Sequence, residues 1–481
     1  MNRYPLIEEI SLPLGPPNVF ELFYREPHSS FLDGGMDPQR LGRYSFIGID
    51  PFLAVRSRGN SITIIKEDEQ RIEQGNPFDM LGGLLGTYKL DCPPKPPVPF
   101  LGGAIGYLGY DLCHFIEHLP TTAVDDLQFP ESYFVFYDTV IAFDNLKNKT
   151  YIVSTGFPEL EENQRLKRAR LRIDETRKRL YSPDKVISGT GFRSIEGNSE
   201  ALLKSNFTPE DYMRAVEKAR EYIIAGDIYQ VNLSQRFETD LTVSTYQLYR
   251  RLRQINPAPF ASYLNFDGIT IVGASPERFL RVDGDFVETR PIKGTKPRGK
   301  DPVQDSILAR ELLDSIKDRA ENVMIVDLER NDIGKVCRYG SVKVTELAIL
   351  ETFPTVFHLT STVVGRLRPE VDRIDLFKAT FPGGSITGAP KVRSMEIIDE
   401  LEPTRRSVYT GAIGYLSFEN NLDLNIVIRT FLIKGNKAYF QVGGGIVYDS
   451  EPEAEYQETL DKAKALIQAL RLASRVAVQT K

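Results

Sequence analysis

Over the first 155 positions apolar residues fall in short runs rather than at helical spacing. The runs 61–65 and 133–143 are β-branched and aromatic, which predicts strands joined by turns. The proline-rich stretch 93–99 predicts a loop. Positions 158–181 are dense in Glu, Lys and Arg and predict a solvated helix. The stretch 182–205 is richer in Ser, Gly and Asn and predicts a boundary, with an amino-terminal domain over 1–195 and a catalytic domain over 196–475.

A helix opens cleanly beyond the boundary. Thr208 suits the N-cap, Pro209 the first helical position, and Asp211 completes a box-like cap. Met213, Val216, Ala219 and Ile223 form an apolar stripe at helical spacing, and Gly226 ends it. From there to Leu472 strand-like segments alternate irregularly with helices. That irregularity predicts an α+β fold with large antiparallel or mixed sheets, not a doubly wound nucleotide fold.

Composition narrows the function classes. The 481 residues are 41% hydrophobic and 26% charged, as in ordinary globular proteins. A net charge of −6 gives no electrostatic reason to expect nucleic acid. No apolar run approaches the ~20 residues that span a bilayer, and Glu8 and Glu9 interrupt the place of a signal peptide. A cytoplasmic protein with no membrane partner is expected. Three widely spaced cysteines (Cys92, Cys113, Cys337) suggest neither a disulfide framework nor a zinc site. Four histidines (His28, His114, His118, His358) leave metal chemistry to carboxylates, which favour hard cations such as magnesium.

Several segments could carry chemistry, each with a plainer reading beside it. Gly103, Gly106 and Gly109 are evenly spaced, but they are not a dinucleotide fingerprint and fit close packing or tight turns. Asp318 and Glu321 are spaced i, i+3 on a helix marked by Leu308, Leu312, Ile316 and Ala320. Glu455 and Glu458 repeat the spacing on the last helix. Each pair alone reads as a solvated face, and Lys462 is placed for an i, i+4 ion pair with Glu458. Two such faces meeting would gather four carboxylates, which calls for a divalent cation. The segment Phe381-Pro-Gly-Gly-Ser-Ile-Thr-Gly-Ala-Pro-Lys391 and the run Gly443-Gly-Gly445, which follows a strand-like stretch, offer backbone amides to an anion. Arg429 stands in an apolar strand-like run and needs an anionic partner, internal or bound. Lys293 lies in a tight turn with Gly294. It is either a surface lysine or a nucleophile, and a nucleophilic amine must be neutral, through burial or a nearby cation.

These segments together resemble the chorismate-utilising enzyme family over nearly the whole chain. The runs that carry the resemblance are Gly226-Asp-Ile-Tyr-Gln-Val-Asn-Leu-Ser234, Ala274-Ser-Pro-Glu-Arg-Phe279, Val326-Asp-Leu-Glu-Arg-Asn-Asp-Ile-Gly334, 381–391 and Gly443-Gly-Gly-Ile-Val-Tyr-Asp-Ser450. The resemblance implies large sheets packed in a sandwich and flanked by helices. It implies magnesium held by Glu321 and Glu458, with Asp318 and Glu455 in support, gripping the ring carboxylate of chorismate. Tyr409, Arg429 and the amides of Gly443 and Gly445 would receive the enolpyruvyl carboxylate. Ser385 stands where relatives often have Thr. Glu277 would be the general acid/base, His358 an active-site histidine, and Lys462 would reach the substrate.

Two positions separate the branches of the family. Branches that add water carry a lysine where this chain has Gln230, so water attack is disfavoured. The anthranilate-forming branch usually carries Ala where this chain has Lys293. The Lys form resembles the branch that makes 4-amino-4-deoxychorismate for p-aminobenzoate and folate, in which the lysine is thought to attack the ring before ammonia displaces it. Anthranilate formation with loss of pyruvate is the alternative, and a non-catalytic chorismate-binding subunit is a third reading. The run Phe31-Leu-Asp-Gly34 departs from the Leu-Leu-Glu-Ser type of tryptophan-binding relatives, which speaks against feedback by tryptophan, whereas Arg43-Tyr-Ser-Phe46 resembles the family and leaves a regulatory pocket in the amino-terminal domain open. No cysteine sits in a glycine-flanked nucleophile turn. Ammonia is therefore expected from a separate glutaminase subunit or from solution.

Overall fold

The computed structural model describes residues 3–66, 69–91, 95–182 and 203–477, with side chains to residue 472. Its described strands form two large sheets in which every strand pairing is antiparallel. The first sheet runs from Leu6–Ile10 at one edge, through Tyr44–Gly48, Ser29–Asp33 and Phe260–Phe266, to Lys437–Ile446 and Gln230–Asp240. The second runs from Ile292–Pro297 and Val356–Arg366, through Leu422–Ile426, Ala412–Ser417 and Gly103–Leu108, to Glu69–Gln74.

The sheets face each other across one apolar layer. Phe46, Val140, Leu264 and Ile271 of the first meet Tyr107, Tyr133, Ile413 and Tyr415 of the second. Helices cover the outer faces, because the central strands are buried on both sides. Glu162–Tyr181, Thr245–Ile255 and Pro452–Ala477 lie on the first sheet, as do Pro209–Ile224 and Lys391–Leu401 near its Gln230–Asp240 edge, while Ile316–Gly334 packs on the second with Arg373–Thr380 against it. The expected α+β sandwich flanked by helices is what the chain forms. The expected boundary at 195/196 lies outside the described residues. Strands from either side of it share both sheets, since Ser29–Asp33 pairs with Phe260–Phe266 and Gly103–Leu108 with Ala412–Ser417.

Local signals succeed where one residue decides the geometry. The Thr208 hydroxyl accepts the Asp211 N–H at 3.1 Å, capping Pro209–Ile224, and Gly226 leaves that helix at φ +84°. Other expectations need correction. The run 133–143 is two strands, Ser132–Tyr137 and Thr139–Asp144, one in each sheet, with Asp138 at the crossing. The stripe from Leu308 to Ala320 spans two helices, Pro302–Asp314 and Ile316–Gly334, because Ser315 stops the first and caps the second through the Asp318 N–H. The amino-terminal half also contains a helix that the strand-and-turn reading omitted, Pro77–Thr87, capped by the Asn76 side chain.

Candidate active site

Lys293 is not in a tight turn. It lies in the strand Ile292–Pro297, whose register against Val356–Arg366 shifts between Ile292 and Thr295. Gly294 makes the bulge at φ +88°, a left-handed conformation that L side chains seldom adopt. A Cβ there would also stand 3.0 Å from Asp318 Cβ, so the bulge is seated on the first turn of the Ile316–Gly334 helix. The residue as a whole is half-buried, yet its amine is enclosed. Burial holds that amine below the usual lysine value, Lys462 adds to the effect, and Glu321, Glu277 and Glu458 oppose it.

Glu277 follows the strand Ile269–Ser275 and is 4% exposed. Its Oε1 accepts the Ser385 hydroxyl at 2.6 Å and the Ile292 N–H at 3.2 Å. Burial raises the carboxyl to about 7 against those two hydrogen bonds and Lys293. A carboxyl poised there can give or take a proton near neutrality. His358 shares a 2.8 Å hydrogen bond with Thr295 through Nδ1, and burial, Arg429 and Lys462 lower it to about 3. It is a neutral imidazole at physiological pH.

The run Gly443–Gly445 lies inside the strand Lys437–Ile446 rather than after it, with Gly445 opposite Asn232 and Gly443 opposite Ser234. The missing side chains make room. A Cβ at 445 would fall 2.0 Å from Gln230 Nε2 and 3.2 Å from the Lys293 amine, and one at 444 would meet Glu455 and Glu458. Gln230 is 1% exposed, and neither atom of its amide has a hydrogen-bond partner among the described residues. Buried amides are ordinarily satisfied, so this one has both its donor and its acceptor open to a bound group or a water.

Arg429 is not in a strand either. It sits at φ +54° between Leu422–Ile426 and Thr430–Lys434, a left-handed backbone of the strained kind that collects at functional sites. Its guanidinium is enclosed and donates to the Lys462 carbonyl, with the buried Tyr409 hydroxyl and Glu458 in its field. The Lys462 amine bridges Glu458 at 2.6 Å and the Gly443 carbonyl at 2.7 Å. That is the plain i, i+4 pair the spacing allows, so Glu458 is held below the usual carboxylate range, first by Lys462. Glu455 accepts the Ser450 hydroxyl at 2.6 Å.

Burial raises both Glu321 and Glu455. The Glu458 charge raises both further, and Asp318 also raises Glu321, so the two acidic helix faces share one field. Among the described residues no three acidic, imidazole or thiol groups are gathered closely enough to hold a metal ion. Lys293, Lys317 and Lys462 supply the countercharge instead. The donor set, all carboxylate oxygen from two facing helices, fits a hard divalent cation in kind.

All fourteen residues singled out from the sequence thus fall in one connected cluster. Sequence reasoning missed Thr295 beside His358, Ser450 beside Glu455, and Lys317 among the acids. It also missed Glu329, which follows Glu321 by eight positions on the same helix and accepts the Gly384 N–H. A separate cavity of about 250 Å³ lies beside the run 31–34, lined by Leu32, Asp33, Gly34, Arg43 and Tyr44 with Arg278 and Asn425. No described helix is long and apolar enough to cross a membrane.

Comparison with known proteins agrees with this geometry. A family model described as chorismate binding enzyme matches residues 39–468. Anthranilate synthase component 1 of Acetivibrio thermocellus is 41% identical over 99% of this chain and 97% of its own length. Aminodeoxychorismate synthase component 1 of Bacillus subtilis is 40% identical over 91% of each. Among solved structures, anthranilate synthase component I from Streptococcus pneumoniae aligns with a TM-score of 0.76 and 35% identity, covering 88% of this chain and 92% of that one. The menaquinone-specific isochorismate synthase of Escherichia coli aligns with a TM-score of 0.70 at 18% identity, covering 98% and 95%, and so shares the fold. With a family match over most of its length and full-length relatives near 40% identity, the chain belongs to the chorismate binding enzyme family.

Proposed function

We propose that the chain aminates chorismate to 4-amino-4-deoxychorismate, a step toward p-aminobenzoate and folate, and keeps the enolpyruvyl group. The observation that carries this reading is the Lys293 amine, enclosed between Glu277, Glu321 and Gly445 and weakened as a base by burial. A neutral amine is the attacking form. Lys293 forms a carbon–nitrogen bond to the ring as the ring hydroxyl leaves, taking the Glu277 proton to become water. Ammonia then forms the second carbon–nitrogen bond and releases the lysine as a free amine, and the spare proton returns to Glu277. The net reaction is chorismate plus ammonia giving the aminated product plus water.

The rest of the cluster orients the substrate. Arg429, Tyr409 and the backbone of Gly443 and Gly445 suit the enolpyruvyl carboxylate, Ser385 orders Glu277, and neutral His358 adds no charge. Gln230 offers an amide and no base, which favours ammonia over water. Glu321 and Glu458, with Asp318 and Glu455 in support, would hold magnesium, which would supply positive charge to the ring carboxylate and to the departing hydroxyl. Cys113 and Cys337 are buried, with thiols pushed up, and Cys92 lies outside the described residues. Ammonia is accordingly assigned to a separate glutaminase subunit.

A second reading, anthranilate formation with loss of pyruvate, has in its favour the Acetivibrio thermocellus relative, as similar as the aminodeoxychorismate one. The mass of Lys293 separates the two. Incubated with chorismate and magnesium but no ammonium, the wild-type chain should gain the mass of chorismate less water on the peptide containing Lys293. Lys293→Ala should gain none and lose most amination. An unmodified Lys293 where added ammonium supports turnover, with anthranilate and pyruvate as products, favours the second reading.

A further inference from the structure

Behind the Ser385 loop lies a carboxylate to which the amination reading gives no part. Glu329 is 2% exposed, and its Oε1 accepts the Gly384 N–H at 2.8 Å. A Cβ at 384 would stand 3.0 Å from that oxygen and 2.7 Å from Leu328, so the loop is drawn tight against the helix. The other oxygen, Oε2, is buried and has no hydrogen-bond partner among the described residues. Lys391 is the strongest positive influence on Glu329, but its amine is spent on Asp332 and on the carbonyls of Thr380 and Pro382. A half-satisfied buried carboxylate is a cost to folding. Its contribution therefore lies in the bond to Gly384.

That bond leads directly to the chemistry. The next residue, Ser385, donates its hydroxyl to Glu277. The far side of the loop is tied separately, by Arg406 to the Ile386 carbonyl and by the Asn232 N–H to the Thr387 carbonyl. We infer that Glu329 is a positioning residue: through the Gly384 amide it holds the Ser385 hydroxyl on Glu277 and keeps that acid aimed at the departing hydroxyl. The inference rests on Glu277 as the proton donor. Burial raises Glu329 itself to about 7, with Lys391 opposing and Asp332 and Glu277 adding to the rise. A protonated carboxyl still accepts the amide, so the bond does not depend on the charge.

A glutamine at 329 keeps the accepting oxygen, whereas an aspartate keeps the charge and withdraws the oxygen by one methylene. With ammonium as the nitrogen source, Glu329→Gln should stay within ~2-fold of wild-type kcat. Glu329→Asp and Glu329→Leu should lose roughly tenfold or more in kcat while the chorismate KM moves less than about twofold. Where the leucine variant does not fold, the Asp and Gln pair, both checked by thermal melting, makes the comparison. Wild-type kcat in Glu329→Asp, or equal losses in Gln and Asp, overturns the inference. Glu277→Gln is measured alongside. If it keeps turnover, the proton-donor reading falls and takes this inference with it. If it is inactive while Glu329→Asp is normal, the positioning role alone falls.

Discussion

Glu277 carries opposing demands on one carboxyl. Its value rises from the usual 4.5 to about 7, so the stability that its protonated form brings is fully present below 4.5 and lost as pH rises through about 7. Glutamine at 277 has no such loss. Glu277→Gln should therefore gain on the wild type by about 2 kcal/mol between pH 5.5 and 8. Denaturant melts at the two pH values check this, and a pH-independent difference would mean that the carboxyl is not held protonated. Activity should move the other way, with the variant inactive throughout and wild-type turnover falling above about 7. At this scale the sequence was highly legible by resemblance and poorly legible by pattern. Lys293 and Gln230 could be named from their runs, but the enclosed amine and the unpartnered amide exist only once Gly445 brings them together. Glu329 was within reach, since it repeats the helical spacing of Glu321, yet its role depends on a loop distant in sequence.

Among the elements, the two acidic helices matter most. Ser315 resets the helical phase, so Asp318 and Glu321 belong to the first turns of a new helix and not to the stripe that begins at Leu308. The apolar stripe runs through Ser315 without a break, so its spacing alone does not show where one helix ends and the next begins. Asp318 then supports Gly294, and Glu321 faces Lys293. Glu321→Gln or Glu458→Gln should cut magnesium-supported turnover on the order of 100-fold or more and leave the far-ultraviolet spectrum unchanged. Calorimetric titration with magnesium should show the matching loss of binding. Near-normal activity in either variant would remove that residue from the metal assignment. The 133–143 run illustrates what pattern does not reveal: continuous β-character locates strands but does not say where the chain leaves one sheet for the other.

At the scale of the whole molecule, the fold class was readable and the division of labour was not. Irregular alternation led to the α+β class and the resemblance to the sandwich, but only pairing shows that both halves build both sheets. The described part of the chain holds no accessible cysteine nucleophile. The purified chain should thus aminate chorismate with ammonium but not with glutamine, and a compatible glutaminase subunit should confer glutamine use. Product assays with each nitrogen source decide it, and efficient glutamine use by the chain alone would refute the division.

The interleaving also sets an order on synthesis. Phe31 pairs early with Ile47 on one side but meets Tyr263 on the other only when that residue has been made, and Tyr107, already beside Tyr133, waits likewise for Ile413. Strands born early must wait, with long apolar edges unpaired, for most of the polypeptide to leave the ribosome. The nascent chain is therefore most exposed to aggregation midway through translation, and its active site closes last, when the final helix brings Glu455 and Glu458 to the waiting sheet.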